Sequence, residues 1–171
     1  PDYTAATFAR RHQELAEYRQ RLAAIDTANW PVEHRVDHEL LRAEMNGFDF
    51  YVRVLQPWVR DPAFYQSVWN DQSDTPAHEG SEHHGIVEVW TYEFPLSKAA
   101  EAKLTGELAI VPPLLKQAEG NLTGNARDLW VTGAGSMRKQ VDSLDALAKR
   151  TAGSGQPLQQ AIRAAREATV K

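Results

Sequence analysis

Apolar residues recur at steps of three, four and seven along most of this 171-residue chain. That spacing places them on one side of an α-helix, so the pattern predicts a chain that is helical nearly throughout. The predicted helices cover residues 4–25, 31–56, 61–69, 95–121, 125–150 and 158–171. We therefore expect an all-α fold, a bundle of about six helices in antiparallel hairpins, as a single domain over residues 1–171.

Individual residues predict where these helices begin, break and end. Thr4 and Asp61 are predicted N-caps, because their side-chain oxygens can accept from the free N–H groups of a first turn. Pro57 disfavours helical backbone at the residue before it, so the second helix should end near Gln56. The pair Pro112-Pro113 predicts a break or kink within residues 95–121.

Three further segments depart from a regular helical pattern. Residues 70–85, NDQSDTPAHEGSEHHG, are predicted to form one long polar loop. Residues 86–94, IVEVWTYEF, alternate apolar and polar as a strand does, but no convincing second strand is present for pairing. We expect that segment to be extended or irregular. Gly133 and Gly135 lie inside a predicted helix and indicate close packing or a bend there.

Charge and composition disfavour several classes of protein. The formal net charge is -4, so no broad basic field exists to attract nucleic acid or anionic lipid. The chain has no cysteine, which excludes disulfides, cysteine-ligated zinc and thiol nucleophiles. No apolar run reaches the roughly 20 residues that span a bilayer. We expect a soluble protein, and the composition suits the cytoplasm and the periplasm or secretion equally.

Three groups of residues resemble one known family. They are Asp37-x-x-Leu-Leu, Trp58 with Asp61-Pro62-x-x-Tyr65, and Val111-Pro112-x-Leu114 with Asn121-Leu122. Together they resemble the amino-terminal part of the bacterial family catalogued as domain of unknown function 885, over essentially the whole chain. The resemblance implies a much longer, largely α-helical protein that is similar to zinc metallopeptidases. A later segment of such proteins carries His-Glu-x-x-Pro-Gly-His, and no position of this chain matches that motif.

The resemblance implies that this chain is the non-catalytic helical scaffold of a zinc-metallopeptidase-like hydrolase. The final helix has neither Gly nor Pro to close it, which favours an amino-terminal fragment cut within an element. Zinc is then implied for the full-length protein, with no cofactor in this chain. The remainder of its own polypeptide would be the main partner. Trp69, Trp90 and Tyr92 are candidates for an apolar wall of the substrate cleft, where a peptide would bind.

Truncation has a consequence for the surface of the chain. We expect an exposed apolar patch larger than the few hundred Å² of a typical monomer, along the last helix. Such a patch would favour a homo-oligomer.

One pair of histidines has the spacing of a metal site. His34 and His38 are four residues apart with Asp37 between them, close to the inverted His-x-x-Glu-His arrangement. Asp is shorter than Glu, no third ligand is fixed by the sequence, and charged neighbours surround the pair. We favour a solvated helix face, and a small hydrolase using these three residues is an alternative hypothesis.

The long polar loop is a second candidate metal site. His78, Glu79, Glu82, His83 and His84 carry imidazole and carboxylate groups, which suit zinc. A flexible loop does not fix ligand geometry beforehand, so we favour a polar loop tip over a metal site. The alternative is a free-standing helical binding or metal-handling module that uses this loop.

Overall fold

The computed structural model describes residues 1–72 and 87–171. Those ranges hold six α-helices of eleven residues or more, which confirms the predicted all-α class. The elements are α1 (Ala5–Ala23), α2 (Val32–Phe50), a π-helical turn (Tyr51–Leu55), the single turn α3 (Pro57–Arg60), a 3-10 turn (Pro62–Tyr65), β1 (Val68–Trp69), β2 (Val87–Glu88), a second 3-10 turn (Val89–Thr91), α4 (Lys98–Leu108), α5 (Val111–Asn121), α6 (Arg127–Arg150) and α7 (Gln156–Val170). In this part of the chain, no helix is long and apolar enough to cross a membrane.

The residues group into two compact units. One unit is Asp2–Pro57, and the other is Pro1 with Trp58–Lys171. This grouping does not test whether residues 1–171 form a single domain, which remains a prediction from the sequence. We call the two parts the hairpin unit and the bundle unit.

The hairpin unit consists of α1 and α2 packed against each other. Thr4 is the N-cap of α1, because its Oγ1 accepts from the N–H of Thr7 at 3.3 Å. Gln56 adopts a left-handed φ of 43°, which ends the helical backbone directly before Pro57, as predicted. A left-handed residue cannot continue a right-handed helix, so the chain leaves the hairpin unit at this point.

The spacing of apolar residues along α2 and the π-helical turn after it predicts one buried face, but most of them are not buried. The predicted positions are Val36, Leu40, Leu41, Phe48, Val52 and Leu55. Only Val52 of the predicted positions is buried, whereas Val36, Leu40 and Leu41 are each about half exposed. The physical reason is the contact with α1, which uses polar side chains of α2 such as Asp49. Apolar residues of α2 are therefore left on its outer sides.

The bundle unit contains a short parallel strand pair. Val68 of β1 pairs with Val87 of β2, and both side chains are fully buried. Two expectations were wrong here. The helix predicted over residues 61–69 is a 3-10 turn that ends at Tyr65, and the segment 86–94 does have a pairing partner. Two residues per strand are too few for alternation to identify a strand from sequence.

Helices α4 and α5 are separated at Ala109 and Ile110 rather than at the proline pair. Pro112 and Pro113 lie in the first turn of α5, where a missing N–H costs no helical hydrogen bond. The predicted break is therefore real, but it falls before the prolines. Apolar residues on both helices are buried in the bundle: Leu104, Leu108, Val111, Leu114 and Leu115.

Helices α6 and α7 pack antiparallel, with Arg166 bonded to Asp145 at 2.6 Å. Leu158, Ile162 and Ala165 of α7 are buried, so the expectation of an exposed apolar patch along the last helix was wrong. The apolar face of α7 is covered by α4, α5 and α6 within the same unit. The large exposed apolar residues are instead concentrated on α2.

Candidate functional site

Two tryptophans lie at one edge of the bundle unit. Trp69 ends β1 and is 39% exposed, and Trp90 lies in the 3-10 turn after β2 and is 41% exposed. The 3-10 turn contacts β1. The structure therefore places two of the three predicted cleft residues on neighbouring elements, where each indole presents apolar area at the surface.

The base beneath these indoles is rigid and buried. Val68, which precedes Trp69, has no exposed surface, and the N–H groups of Ser67 and Val68 donate to Gln140 Oε1 at 2.7 and 3.0 Å. Neighbouring strand residues point to opposite faces, so burial of Val68 directs Trp69 outward. The role of Gln140 was not predicted from the sequence. Its place on the apolar side of a predicted helix is the feature that could have indicated a buried polar residue.

Tyr92, the third predicted cleft residue, is held against α4. Its hydroxyl donates to Glu107 Oε2 at 2.7 Å, and the Lys103 ammonium lies 5.2 Å from its ring centroid. Burial raises the pKa of Tyr92 well above its usual range, and the Glu107 carboxylate raises the pKa further. The phenol is therefore a fixed hydrogen-bond donor within the bundle, and its contacts with α4 make it a packing residue of this edge.

Three residues that carry the family resemblance in the bundle unit, Trp58, Tyr65 and Asn121, are linked by hydrogen bonds. Tyr65 Oη donates to the carbonyl of Trp58 at 2.9 Å and accepts from Asn121 Nδ2 at 2.9 Å. Burial raises the pKa of Tyr65 to about 12, and the hydrogen bond from Asn121 acts in the opposite direction. Asp61 caps the 3-10 turn by accepting from the N–H of Ala63 at 2.8 Å. These side chains hold the chain in place and are not directed at solvent.

The sequence predicted that His38 lies on a solvated helix face, and this prediction was wrong. Its side chain is 14% exposed, and Nε2 lies 3.2 Å from the carbonyl oxygen of Leu22. A carbonyl oxygen only accepts, so this contact places the proton on Nε2. Leu22 is in the last turn of α1, and its carbonyl also accepts from the N–H of Ile25 at 3.2 Å, so His38 adds a side-chain cap to that helix end.

His34 and Asp37, the other two residues of that motif, are exposed as predicted. The ring of Trp30 lies edge-on to both histidines, with centroids 6.4 Å from His34 and 6.3 Å from His38. In residues 1–72 and 87–171, no group of three or more His, Cys, Asp and Glu residues is arranged to hold a metal ion. The loop candidates His78, Glu79, Glu82, His83 and His84 lie outside the described residues.

A charged cluster that sequence analysis missed joins α1 to α2 around Asp49. Arg53 donates to the carboxylate through two nitrogens, the shorter contact being 2.7 Å, and His12 Nε2 lies 2.8 Å from Oδ1. Arg19 approaches the same oxygen at 3.8 Å. Hydrogen bonds from Arg53 and then His12 hold the pKa of Asp49 well below its usual range. Only the Asp49–Arg53 pair, four residues apart on one helix, is readable from sequence.

A groove of about 440 Å³ runs between α1 and α2 beside this cluster. Its polar lining includes Arg19, His38, Arg42 and Asn46. Arg19 Nη2 donates to Asn46 Oδ1 at 3.0 Å, and Arg42 is paired with Glu39. Both guanidinium groups are therefore bonded within the hairpin unit, and Leu22, Ala23 and Met45 give the groove an apolar lining beside them.

A comparison of the chain with protein-family models, curated proteins and solved structures gives no significant match.

Proposed function

We propose that this chain is a non-catalytic helical scaffold that supplies one wall of a peptide-binding cleft. In this proposal the chain belongs to a zinc-metallopeptidase-like hydrolase, and the metal-binding segment is a different part of that polypeptide. Zinc and the catalytic groups would come from that segment, so no residue of this chain is assigned a catalytic role. The observation that carries the proposal is the pair of half-exposed indoles, Trp69 and Trp90, on a buried strand pair.

The rigidity of this edge supports a binding surface. An indole on a fixed backbone loses little conformational freedom when an apolar peptide side chain packs against it, so more of the contact energy appears as affinity. Gln140 fixes the backbone at Ser67 and Val68, directly before Trp69. Trp90 follows β2 within two residues, so both rings are anchored to the same strand pair.

The buried cluster around Tyr65 supports a structural role for the motif residues. Tyr65 has both hydrogen-bonding functions of its hydroxyl used inside the protein, by Trp58 and by Asn121. A pKa of about 12 keeps the phenol protonated at neutral pH, where it cannot act as a base. The motif thus serves packing and hydrogen bonding, as a scaffold requires.

Peptide binding to the purified chain tests this proposal. We expect a library of short peptides with aromatic or aliphatic side chains to quench tryptophan fluorescence weakly, without being cleaved and without any effect of a chelator. Trp69→Ala and Trp90→Ala should each weaken binding by about tenfold, the effect of losing a buried aromatic contact. Trp30→Ala is the matched control, because Trp30 is 38% exposed but lies in the hairpin unit.

Two results would contradict the proposal. Peptide cleavage that disappears in His34→Ala and on chelation would favour the small hydrolase using His34, Asp37 and His38. Equal loss of binding in the Trp30 variant would show that the indoles of the bundle edge are not a specific surface. Independently, the open reading frame beyond Lys171 should encode His-Glu-x-x-Pro-Gly-His.

A further inference from the structure

The outer side of α2 carries an apolar stripe along its whole length. We define the α2 stripe as Val32, Val36, Leu40, Ala43, Gly47 and Phe50, all of which are exposed. From Val36 onward the steps alternate four, three, four and three. That spacing is the heptad seam of helices that pack along one another. The apolar face predicted from the sequence included both Leu40 and Leu41. Leu41 lies roughly 100° from Leu40 around the helix and is not part of the stripe.

The α2 stripe is separate from the face of α2 that contacts α1. His38, Asn46 and Asp49 make bonds to α1. Around the helix axis, His38 and Asp49 lie roughly 150° and 130° from the centre of the stripe, and Asn46 lies roughly 70° from it. Polar side chains of α2 thus take part in the contact with α1, whereas every residue of the stripe is apolar. The hairpin unit therefore leaves room along the stripe for a second helix.

The contacts among the described residues do not explain why a glycine occupies position 47 inside α2. Glycine inside a helix destabilises it by about 0.5–1 kcal/mol relative to alanine. A Cβ added at Gly47 would meet no atom of residues 1–72 and 87–171 within 4 Å, so no contact among these residues requires its absence. A small residue at the centre of an exposed apolar seam is expected where another helix backbone approaches closely.

We propose that the α2 stripe binds the α2 stripe of a second copy of this chain. The two helices run antiparallel, and the two-fold axis passes between them midway between Ala43 and Gly47. In antiparallel pairing, large residues of one stripe lie opposite large residues of the other, and small residues lie opposite small residues. Leu40 lies opposite Phe50 of the partner subunit, and Ala43 lies opposite the partner's Gly47. Both small residues then lie at the centre, where the two backbones come closest, and the large residues close both ends.

Charge favours the antiparallel orientation over the parallel one. At the beginning of the stripe the acids Glu33, Asp37 and Glu39 outnumber Arg35, so parallel pairing would place two ends of net negative charge side by side. Antiparallel pairing separates the acidic ends. It also brings Glu39 near the partner's Arg53, whose guanidinium is 57% exposed. This arrangement is isologous, so one surface serves both copies and the assembly closes as a dimer.

Sedimentation of the full chain over about 1–500 µM tests the proposal, because four turns of a single helix bury less than a standard stable interface. We expect a reversible monomer–dimer equilibrium. Leu40→Glu should weaken association at least about tenfold. Leu41→Glu is the matched control, because Leu41 is 53% exposed against 58% for Leu40, and this variant should dimerise as the parent does. Circular dichroism checks that both variants remain folded.

Gly47 gives a second test that separates association from stability. Gly47→Ala should stabilise the helix of the monomer, since no atom blocks the added methyl group. The same substitution should weaken the dimer, and Gly47→Leu should abolish it. A merely structural role of Gly47 would move stability and association together.

Single cysteines in this cysteine-free chain report the orientation. Glu44→Cys lies next to the proposed axis and should be joined to the partner's copy by a short bismaleimide, whereas Val36→Cys should not. A monomer at every concentration, a dimer unaffected by Leu40→Glu, or cross-linking at Val36 without cross-linking at Glu44 would each overturn the proposal. The proposal uses only the hairpin unit, so its failure leaves the peptide-binding test on Trp69 and Trp90 unaffected.

Discussion

Gln140 Nε2 donates to Thr169 Oγ1 at 3.0 Å, so a side chain of α6 is tied to α7 inside the bundle unit. The other end of the same amide accepts from the backbone of Ser67 and Val68, and Gln140 itself is fully buried. One polar side chain therefore connects three elements that are far apart in sequence. Its hydrogen bonds are satisfied, which is the condition under which a buried amide stabilises a fold.

We expect Gln140→Leu to lower the free energy of unfolding by about 2–4 kcal/mol. Two buried N–H groups would lose their acceptor, and an unsatisfied buried donor costs about 1–3 kcal/mol. Chemical denaturation followed by circular dichroism measures this change. Thr169→Val is the milder comparison, because it removes one partner of the amide and leaves both N–H groups of β1 satisfied. Equal stability of Gln140→Leu and the parent would contradict the role assigned to the amide.

We expect Gly133→Ala to destabilise the bundle unit by about 1–3 kcal/mol, as overpacking does. A Cβ at Gly133 would lie 2.8 Å from both the backbone nitrogen of Ala63 and Cδ of Pro62. Gly135→Ala is the control in the same helix, because its Cβ would meet nothing within 4 Å. That control should stabilise the protein by about 0.5–1 kcal/mol. Thermal melting of the two variants should therefore shift in opposite directions.

The hairpin unit should lose stability in acid. The pKa of Asp49 is lower in the folded chain than its unfolded value of about 3.9, because Arg53 and His12 bond to the carboxylate. The stabilisation is therefore complete above the unfolded pKa and is lost as the pH falls below about 4 towards the folded pKa. His12 and Arg19 face the group from α1, and Arg53 faces it from the adjoining π-helical turn.

Asp49→Asn tests this pH dependence. The variant should melt earlier than the parent at pH 7, and the difference between their melting temperatures should shrink as the pH falls below about 4. Asp37→Asn changes an exposed acid of the same helix and should leave the acid profile unchanged. Parallel profiles of the parent and Asp49→Asn across the acid range would refute the assignment.

Metal analysis distinguishes the scaffold from a metal-handling module that uses the polar loop. We expect purified chain, after exposure to zinc and desalting, to retain no stoichiometric ion, because the sequence predicts a loop there, and ligands on a loop would not be held in place beforehand. Elemental analysis by mass spectrometry measures the ratio of metal to protein. Retention of one ion per chain that disappears on substitution of His78, His83 and His84 by alanine would favour the module instead.

The helices were predictable because their signals are local. Caps such as Thr4 and Asp61, the stop at Gln56 and the apolar spacing of α7 all depend on residues within a few positions of one another. The placement of the break before Pro112 was missed by a few residues. A proline is as compatible with the first turn of a new helix as with a kink, and the local sequence does not separate the two.

The candidate site was only partly predictable. Trp69 and Trp90 were proposed as apolar walls of a cleft beside the predicted polar loop, and both are partly exposed on neighbouring elements of the bundle unit. The roles of His38, Asp49 and Gln140 depend on partners that are 16 to 73 residues away in sequence. No local spacing reports such a partner, so His38 was assigned to a solvated face although it caps α1.

By itself, the sequence determined that the chain is helical, where most of its helices begin and end, and that no cysteine chemistry is available. The tertiary structure decided which apolar faces are buried. The apolar positions of α2 and α7 have similar helical spacing, yet those of α7 are covered by three helices, whereas most of those on α2 are exposed. The spacing of apolar residues indicates that a helix has an apolar side, because side-chain direction along a helix is fixed locally. Whether that side is buried depends on the free energy of packing against distant residues, which only the folded chain brings together.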